Sequence, residues 1–257
     1  MVFTGNSAGG QGGAIYVDPT ALTLSATGGD ITFSGNTQNT GGTAQANAIY
    51  INNAANSPTT VTFAAADGRA INFFDPIQNN AANGMITVLK SGGGMVSFDG
   101  SRYSALPDQW SQVYGDTEVQ AGVFEVANSA VYGLHAATVC GTTDSVFMTA
   151  AGTTLQGGAT GTVIADELSV GGDLSIAGRQ PGIRSVFTLD SNHATFGPGS
   201  RILFNTYLND GVVQNTDLLI LALNGSTLNG QASILVTNIG GPGGYTLGDG
   251  IKLVVWS

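Results

Sequence analysis

The chain has 257 residues, and its 17 acidic and seven basic side chains give a formal net charge of −10. This negative charge would repel phosphate backbones and anionic lipid headgroups, so it argues against nucleic-acid binding. Hydrophobic residues make up 42% of the chain, but no run approaches the roughly 20 apolar residues of a membrane span. The composition therefore predicts an ordered chain with no direct membrane insertion.

Residues that favour surface helices are nearly absent, since Lys occurs twice and Glu three times. Thr, Val, Ile, Phe and Tyr recur instead in short runs, separated by Gly, Asn and Ser. We therefore predict an all-β chain with almost no helix.

A degenerate repeat opens the chain. Residues 3–6 read Phe-Thr-Gly-Asn and residues 12–17 read Gly-Gly-Ala-Ile-Tyr-Val; residues 33–36 read Phe-Ser-Gly-Asn and residues 47–51 read Asn-Ala-Ile-Tyr-Ile. The first elements are 30 residues apart and the second elements 34 apart, so the second copy contains a four-residue insertion. Each unit is too small to bury an apolar face alone and must stack on its neighbours. This pattern predicts a right-handed parallel β-helix, or β-solenoid.

Short apolar segments recur through the first 90 residues, each closed by Gly, Asn, Asp or Pro. The predicted strands are 14–17, 22–24, 31–33, 48–51, 61–63, 71–74 and 86–89. Several Asn residues lie near predicted corners, namely Asn6, Asn36, Asn52, Asn53 and Asn72. Such residues fit left-handed corner conformations or stacked amide ladders, and we favour the ladders.

The regular pattern is interrupted between residues 98 and 119. We predict a projecting loop near 99–116, with Arg102, Tyr103, Trp110 and Tyr114 as partner-binding residues, because Arg, Tyr and Trp are common interface anchors. The alternative is a loop that folds onto the side of the solenoid.

Strand-like segments then resume at 123–126, 145–148, 162–164, 168–170 and 174–176. Residues 177–184 form a turn-rich interruption that carries Arg179 and Arg184, two further candidate partner-binding residues. We therefore predict β-helix coils over residues 1–185, and C-terminal coils with a β cap over residues 186–257.

The search for chemistry predicts no catalytic, metal-binding or cofactor-binding residue. Cys140 is the only cysteine, and neither His135 nor His193 lies in a recognisable nucleophile motif with it. The 14 Asp residues are scattered, with Asp166 and Glu167 as the only adjacent acids, and turn chemistry explains most of them.

Four spaced segments near the C-terminus follow a recognisable order: 204–210, 216–221, 234–243 and 246–255, the last reading Thr-Leu-Gly-Asp-Gly-Ile-Lys-Leu-Val-Val. This tail resembles the autochaperone segment of type V autotransporter passengers. The repeats at the other end are similar to those of chlamydial polymorphic outer-membrane proteins and of alphaproteobacterial autotransporters.

The resemblance implies the C-terminal part of a passenger that is exported through the periplasm to the bacterial surface or released from it. The implied partners are the outer-membrane β-barrel translocator of the same precursor and a host cell-surface protein or glycan. A single cysteine is compatible with export of an extended chain, because no intrachain disulfide can form.

Three functions remain open at this point. The first is a non-catalytic adhesin or secreted ligand of a host receptor. The second is a polysaccharide hydrolase or lyase on the concave face, which the lack of an acidic cluster disfavours. The third is a stalk and folding nucleus whose recognition site lies in a missing N-terminal part, since Met1 enters within a repeat.

Overall fold

The computed structural model describes residues 1–18, 20–53, 59–80, 85–104, 106–135, 144–178, 184–208, 215–241, 243 and 251–256. Strands dominate these residues, and the one described helix is a three-residue 3-10 turn at Gly100–Arg102. None of the described residues form a helix of the length and hydrophobicity that crossing a membrane requires.

In chain order the strands are β1 (Val2–Thr4), β2 (Ser7–Ala8), β3 (Ile15–Val17), β4 (Leu22–Ala26), β5 (Ile31–Ser34), β6 (Thr37–Thr40), β7 (Thr43–Ala46), β8 (Ile49–Ile51), β9 (Thr59–Ala65), β10 (Ala70–Phe73), β11 (Ile77–Asn79), β12 (Ile86–Ser91), β13 (Met95–Asp99), β14 (Trp110–Ser111), β15 (Gly115–Val119), β16 (Val123–Ala127), β17 (Ala130–Gly133), β18 (Val146–Thr149), β19 (Thr154–Gln156), β20 (Thr160–Val170), β21 (Asp173–Ser175), β22 (Val186–Tyr207), β23 (Asn215–Thr216), β24 (Leu218–Asn238) and β25 (Val254–Trp256).

These strands stack in parallel on three faces of a solenoid, and the chain visits the faces in the same order in every coil. The first face contains β1, β5, β10, β13, β16, β19, β21 and residues 201–203 and 233–235. The second contains β3, β8, β11, β14, β17, residues 160–165, 186–191 and 218–223, and β25. The third contains β4, β9, β12, β15, β18 and residues 167–170, 193–196 and 227–230.

The prediction of a parallel β-solenoid is confirmed, and every apolar segment predicted over the first 90 residues coincides with a strand. Strand β9 shows the reason for this agreement. Burial alternates along it, since its odd-numbered residues are buried and its even-numbered residues are partly exposed. The solenoid buries one side of each strand in a continuous core that runs from coil to coil.

Aromatic rings form a file inside the first face. Phe3, Phe33, Phe73 and Phe98 lie in register on successive coils, and adjacent ring centroids are 4.6, 5.0 and 4.9 Å apart. The rings are nearly parallel, with interplanar angles of 2°, 9° and 11°. The Phe of each repeat is therefore a core residue whose ring packs on the preceding and following coils.

The Gly-Gly-Ala-Ile element is explained by the close approach of successive coils. A Cβ at Gly13 would lie 2.2 Å from the carbonyl oxygen of Asn47, so no side chain fits there. The amide nitrogen of Ala14 donates to the carbonyl oxygen of Ala48, and Ala48 is fully buried. Small residues at these positions thus permit the turn that leads from the first face to the second.

The four-residue insertion of the second repeat lies in an antiparallel hairpin formed by β6 and β7. Gly41 and Gly42 make its two-residue turn with φ values of 78° and 89°, a conformation that glycine adopts without strain. The hairpin strands are polar, so alternation of apolar residues did not reveal them in the sequence.

Four of the predicted corner Asn residues form side-chain hydrogen bonds between coils, as favoured above, whereas Asn72 lies within strand β10. Asn6 Nδ2 donates to Asn36 Oδ1 at 2.7 Å, and Asn80 Nδ2 donates to Asn52 Oδ1 at 3.1 Å. None of the predicted corner Asn residues has a positive φ, so the left-handed alternative is wrong for them. Among described residues other than Gly, the positive φ values belong to Asn128, Ser129 and Ala159.

The sheet continues without a break across the predicted border between residues 185 and 186. Residues 160–170 of β20 pair with residues 186–196 of β22, and β22 in turn pairs along most of β24. Near the end of β24 the core-facing side becomes accessible, since Ile234 and Val236 are 53% and 49% exposed. Strand β25 pairs with β24 at residues 219–221.

A lysine occupies a core position on the third face. Lys90 lies in register with Phe63 and Val119, and its side chain is fully buried. Its ammonium donates to the carbonyl oxygens of Ser91, Gly92 and Ala121, at 3.2, 2.6 and 2.7 Å. Burial lowers the pKa of Lys90 to about 8, because the charged form is desolvated.

The Lys90 site predicts a rise in stability with pH between about 8 and 10.5. In this window the unfolded chain keeps the proton that the folded chain releases, so raising the pH favours the folded state. The measurement is the free energy of unfolding as a function of pH for the wild type and for Lys90→Met. The difference between the two curves should rise in favour of the wild type across this window, and a constant difference would contradict the prediction.

Candidate functional site

The segment predicted to project near 99–116 lies largely on the wall of the solenoid. Strands β14 and β15 are rungs of the second and third faces, paired with β17 and with β12 and β18. Asp108 Oδ1 accepts a hydrogen bond from the amide nitrogen of Ala46, 3.2 Å away, which ties the intervening turn to the β7 hairpin strand. The geometry corresponds to the alternative in which the loop folds onto the side of the solenoid.

Arg102 and Tyr103 form an anchored pair on this wall. The Arg102 Nη1 donates to Ser34 Oγ at 2.9 Å and lies 3.8 Å from Asp75 Oδ1, while the guanidinium carbon is 5.5 Å from the centroid of the Tyr103 ring. The Tyr103 hydroxyl donates to Asp75 Oδ1 at 3.3 Å. The Arg102 side chain remains 41% exposed, so it is both held in place and accessible.

The environment of Tyr103 keeps its hydroxyl protonated. Burial, with the nearby Asp75 carboxylate as the next cause, raises the pKa of Tyr103 to about 12. Its hydroxyl is therefore a hydrogen-bond donor to Asp75 throughout the physiological range.

Trp110 and Tyr114 mainly stabilise the fold. The indole Nε1 of Trp110 donates to the carbonyl oxygen of Gly133 at 2.8 Å, and its ring is partly buried. Tyr114 is 3% exposed, and its backbone nitrogen donates to Asn79 Oδ1 at 2.8 Å. The Tyr114 side chain is thus not accessible to a partner, because it lies inside the wall.

Of the two remaining predicted residues, one lies within the described part of the chain and one does not. Arg184 is exposed at the start of the segment that leads into β22. Arg179 lies outside the described residues, as does Cys140. Of the predicted partner-binding residues, the structure therefore brings Arg102 and Tyr103 together.

A cleft on the outer surface of the first face was not predicted. It has a volume of about 490 Å³ and crosses four successive coils. Its lining residues are polar, small or aromatic: Asn72, Phe74, Asp99, Glu125, Ala127, Asn128, Gly157 and Gly158. These residues are far apart in the sequence, and each alone has the appearance of an ordinary strand or turn residue.

The carboxylates of this cleft are held by neutral donors. Glu125 is 2% exposed and accepts hydrogen bonds from Ser97 Oγ at 2.9 Å and Gln156 Nε2 at 2.6 Å, one on each oxygen. Asp99 accepts from the backbone nitrogen of Ser101 at 2.8 Å and from Asn128 Nδ2 at 3.0 Å. Each carboxylate is thus fixed in one orientation.

A second polar cluster joins three coils around His135. The imidazole Nδ1 is 3.2 Å from Asp166 Oδ1, and Nε2 is 3.1 Å from Asp190 Oδ1. Asp166 also accepts hydrogen bonds from the backbone nitrogen and the hydroxyl of Ser145, both at 2.9 Å. The Ser145 hydroxyl therefore donates to a carboxylate, and this hydrogen bond ties Ser145 to the next coil.

The carboxylates around His135 favour its charged form. An imidazole donates from both nitrogens when it is protonated. The hydrogen bond to Asp190 is the main cause that raises the pKa of His135 above its ordinary value, against the opposing effect of burial.

This cluster predicts a loss of stability as pH rises. The stabilisation from protonated His135 is complete below the unfolded pKa of about 6.5 and disappears as the pH passes the raised pKa of the folded state. Thermal unfolding of the wild type and of His135→Gln between pH 5 and 8.5 tests this prediction. We expect the difference in stability between the two proteins to be largest at the acidic end of this range. Parallel curves would contradict the prediction.

Among the described residues, no group of three or more His, Cys, Asp or Glu side chains is arranged to hold a metal ion. The polar side chains on this wall can form hydrogen bonds and contacts with another molecule.

Comparison with known proteins addresses the two ends of the chain. A family model described as Autochaperone Domain Type 1 matches residues 168–257, and one described as the Chlamydia polymorphic membrane protein repeat matches residues 1–18. The chain is similar to autotransporter passengers at both of its ends. Both resemblances drawn from the sequence are confirmed by these matches.

Three curated relatives come from Chlamydia pneumoniae. The chain is 38% identical to probable outer membrane protein pmp8 over 113 residues, which is 39% of this chain and 12% of that protein. It is 49% identical to probable outer membrane protein pmp6 over 74 residues, 28% of this chain and 6% of that protein. It is 46% identical to probable outer membrane protein pmp7 over 78 residues, 30% of this chain and 8% of that protein.

These relatives agree with the predicted location at the bacterial surface, since all three are named as outer membrane proteins, and none of the names denotes an enzyme. The chain spans about a tenth or less of the length of each. No solved structure matches it.

Proposed function

We propose that this passenger segment is a non-catalytic binding module that engages a host cell-surface protein or glycan, as an adhesin or as a released ligand. The observation that carries the proposal is the Arg102–Tyr103 pair, an accessible cation held over an aromatic ring on a rigid wall. Arg and Tyr are the side chains that most often anchor interfaces.

Preorganisation supports this role. Ser34 and Tyr103 hold the Arg102 side chain in one position, so binding would immobilise fewer rotamers than for a free arginine. A Cβ at Gly35 would lie 2.5 Å from Arg102 Nη1, so the coil beneath leaves room for the guanidinium. Arg184 is an additional exposed contact in this proposal, and Arg179 stays a candidate from the sequence alone.

The family match supports a second partner. An autochaperone segment precedes a translocator in the proteins that the tail resembles, so the proposed partner during export is the outer-membrane β-barrel of the same precursor. The coils over residues 1–185 then form the exposed wall, and residues 186–257 complete and cap it.

A saturable interaction with cultured host cells tests the binding role. We expect the folded 257-residue chain to bind, and Arg102→Ala to weaken binding by about tenfold or more, as removal of an interface anchor does. Surface plasmon resonance or flow cytometry with labelled protein gives the affinity, and circular dichroism verifies that the β signal is retained.

Arg201→Ala is the matched control. Arg201 is also an exposed arginine on the first face, and its guanidinium is paired with Asp173, with Nε at 2.7 Å from Asp173 Oδ1. Weakened binding for Arg102→Ala together with unchanged binding for Arg201→Ala would support the proposal. Equal affinities for all three proteins would reject the Arg102 surface, and no saturable binding would leave the stalk and folding nucleus as the better function.

A further inference from the structure

The cleft on the first face is built on rigid elements. Outward-facing residues at one register position of β10, β13, β16 and β19 are Asn72, Ser97, Glu125 and Gln156, so they form a ladder across four coils. Parallel rungs are spaced about 4.8 Å apart, which places polar groups at regular intervals along the cleft. A ladder of this kind suits an elongated ligand with repeated polar groups.

Acceptors and donors both face this cleft. The Asp99 carboxylate is oriented by the Ser101 backbone and Asn128 and still has acceptor capacity, since a carboxylate offers about four lone-pair sites. Among the described residues, no hydrogen bond to the side-chain amide of Asn72 is present, so this amide can both donate and accept. A hydroxyl group, which donates and accepts at once, matches this combination.

The shape of the cleft fits a flat, partly apolar ligand. Phe74 provides an aromatic edge, while Ala127, Gly157 and Gly158 provide a floor with little or no side chain. Asn128 is fixed at the rim with φ of 53°, and its backbone nitrogen donates to the carbonyl oxygen of Gly158 at 2.8 Å. A pyranose ring has these two characters, with polar hydroxyls at its edge and an apolar face.

Charge restricts the ligand further. The described lining has two carboxylates and no basic side chain, in a chain whose net charge is −10. An anionic sugar would be repelled by this field. A cation would pair with the carboxylates, but it would not accept a hydrogen bond from the Asn72 amide. An uncharged ligand with hydroxyl groups can bond to both kinds of group.

We propose that this cleft binds an uncharged oligosaccharide, with Asn72, Asp99 and Asn128 as hydrogen-bonding residues and Phe74 as the apolar contact. The inference rests on the proposed function, because it names one class of host ligand for the binding module. It adds a site that is separate from the Arg102–Tyr103 pair.

An array of immobilised neutral, sialylated and sulfated oligosaccharides, with Lys-rich and Arg-rich peptides alongside, tests the proposal on the full 257-residue chain. We expect saturable binding to at least one neutral oligosaccharide that changes little between 50 and 500 mM salt, because no ion pair is involved. Binding to sulfated sugars or to basic peptides alone, with steep salt dependence, would overturn the proposal.

Two variants remove hydrogen-bonding side chains from the cleft, and Asn128→Gly also removes a donor that orients Asp99. Asn72→Ala deletes an amide that makes no described hydrogen bond, and Asn128→Gly keeps the left-handed backbone while it removes the side chain. Each should weaken binding to the neutral oligosaccharide by about three- to tenfold, the value of one hydrogen bond. Thr87→Ala, on the outer side of the third face, is the control and should bind normally.

The cell-binding and array results separate the two proposals. Host-cell binding that is lost in Arg102→Ala but unchanged in Asn72→Ala and Asn128→Gly, without array binding to a neutral sugar, would reject the cleft and keep the binding module. Weakened array binding in both cleft variants would support the cleft. Identical array binding in wild type and both variants would overturn it.

Discussion

Replacing Phe98 with Ala is expected to lower the free energy of unfolding by about 3–5 kcal/mol, the usual cost of removing a buried phenyl ring. Phe98 is 2% exposed and lies between two parts of the core. Its ring centroid is 4.9 Å from that of Phe73 and 4.8 Å from that of Tyr132. The deletion would therefore leave a cavity where the stacked file of the early coils meets the edge-on cluster of the later coils.

Urea denaturation followed by circular dichroism measures this loss. Phe98→Leu should recover most of it, with a cost of about 1.5 kcal/mol or less, because it retains most of the volume. Met148→Ala is the control, since Met148 is 41% exposed on the outer side of β18. A loss in Phe98→Ala no larger than in Met148→Ala would contradict a continuous aromatic core.

The Phe98→Ala substitution should also weaken the coils on either side of Phe98. In a solenoid each coil contacts mainly its neighbours, so a cavity in one coil weakens the interface on both sides. We expect limited proteolysis of Phe98→Ala to begin near the altered coil, rather than at the edge of the solenoid.

The fold was predictable from sequence wherever one side of a strand is apolar. Strand β9 alternates buried Val61 and Phe63 with partly exposed Thr60 and Thr62, and this period of two is visible in the sequence. Strands β6, β7 and β14 lack such alternation because the hairpin is polar and β14 has two residues. Their positions depend on hydrogen bonds to other coils, which no local pattern encodes.

The candidate site was less predictable for a related reason. Tyr114 has the residue type of an interface anchor, but its location in the wall depends on Asn79, 35 residues earlier. The cleft combines Asn72, Asp99, Glu125 and Asn128 through the register of three coils. Coil lengths vary, with Phe33 and Phe73 separated by 40 residues and Phe73 and Phe98 by 25. Without the register, these residues cannot be assigned to one surface.

Asp75→Asn is expected to destabilise the protein by about 3–5 kcal/mol, the cost of removing one partner from a buried charged network. The Asp75 carboxylate is 1% exposed. Its Oδ1 accepts from the backbone nitrogen of Gly35, and its Oδ2 accepts from the backbone nitrogen and Nδ2 of Asn36, at 2.8, 2.8 and 2.7 Å. An amide in this place would turn a donor toward at least one of these donors.

The same carboxylate connects the corner ladder to the proposed binding surface. Tyr103 donates to Asp75, and the Arg102 guanidinium lies near it, so loss of the acceptor would release the anchored pair. Asp75→Asn should therefore reduce host-cell binding as well as stability. Asp173→Asn is the matched control, because it removes a partly exposed carboxylate that is paired with the exposed Arg201, where screening by solvent makes the loss small.

Chemical denaturation and cell binding, measured on the same preparations, separate the two effects of Asp75. At a temperature where more than nine-tenths of Asp75→Asn is folded, a remaining loss of affinity would come from the released Arg102 and not from unfolding. Normal affinity of this folded variant would show that Asp75 supports the coil corner alone. Unchanged stability would contradict the stabilising role of this network, because the hydrogen bonds from three donors of the preceding coil to the Asp75 carboxylate would then contribute nothing measurable.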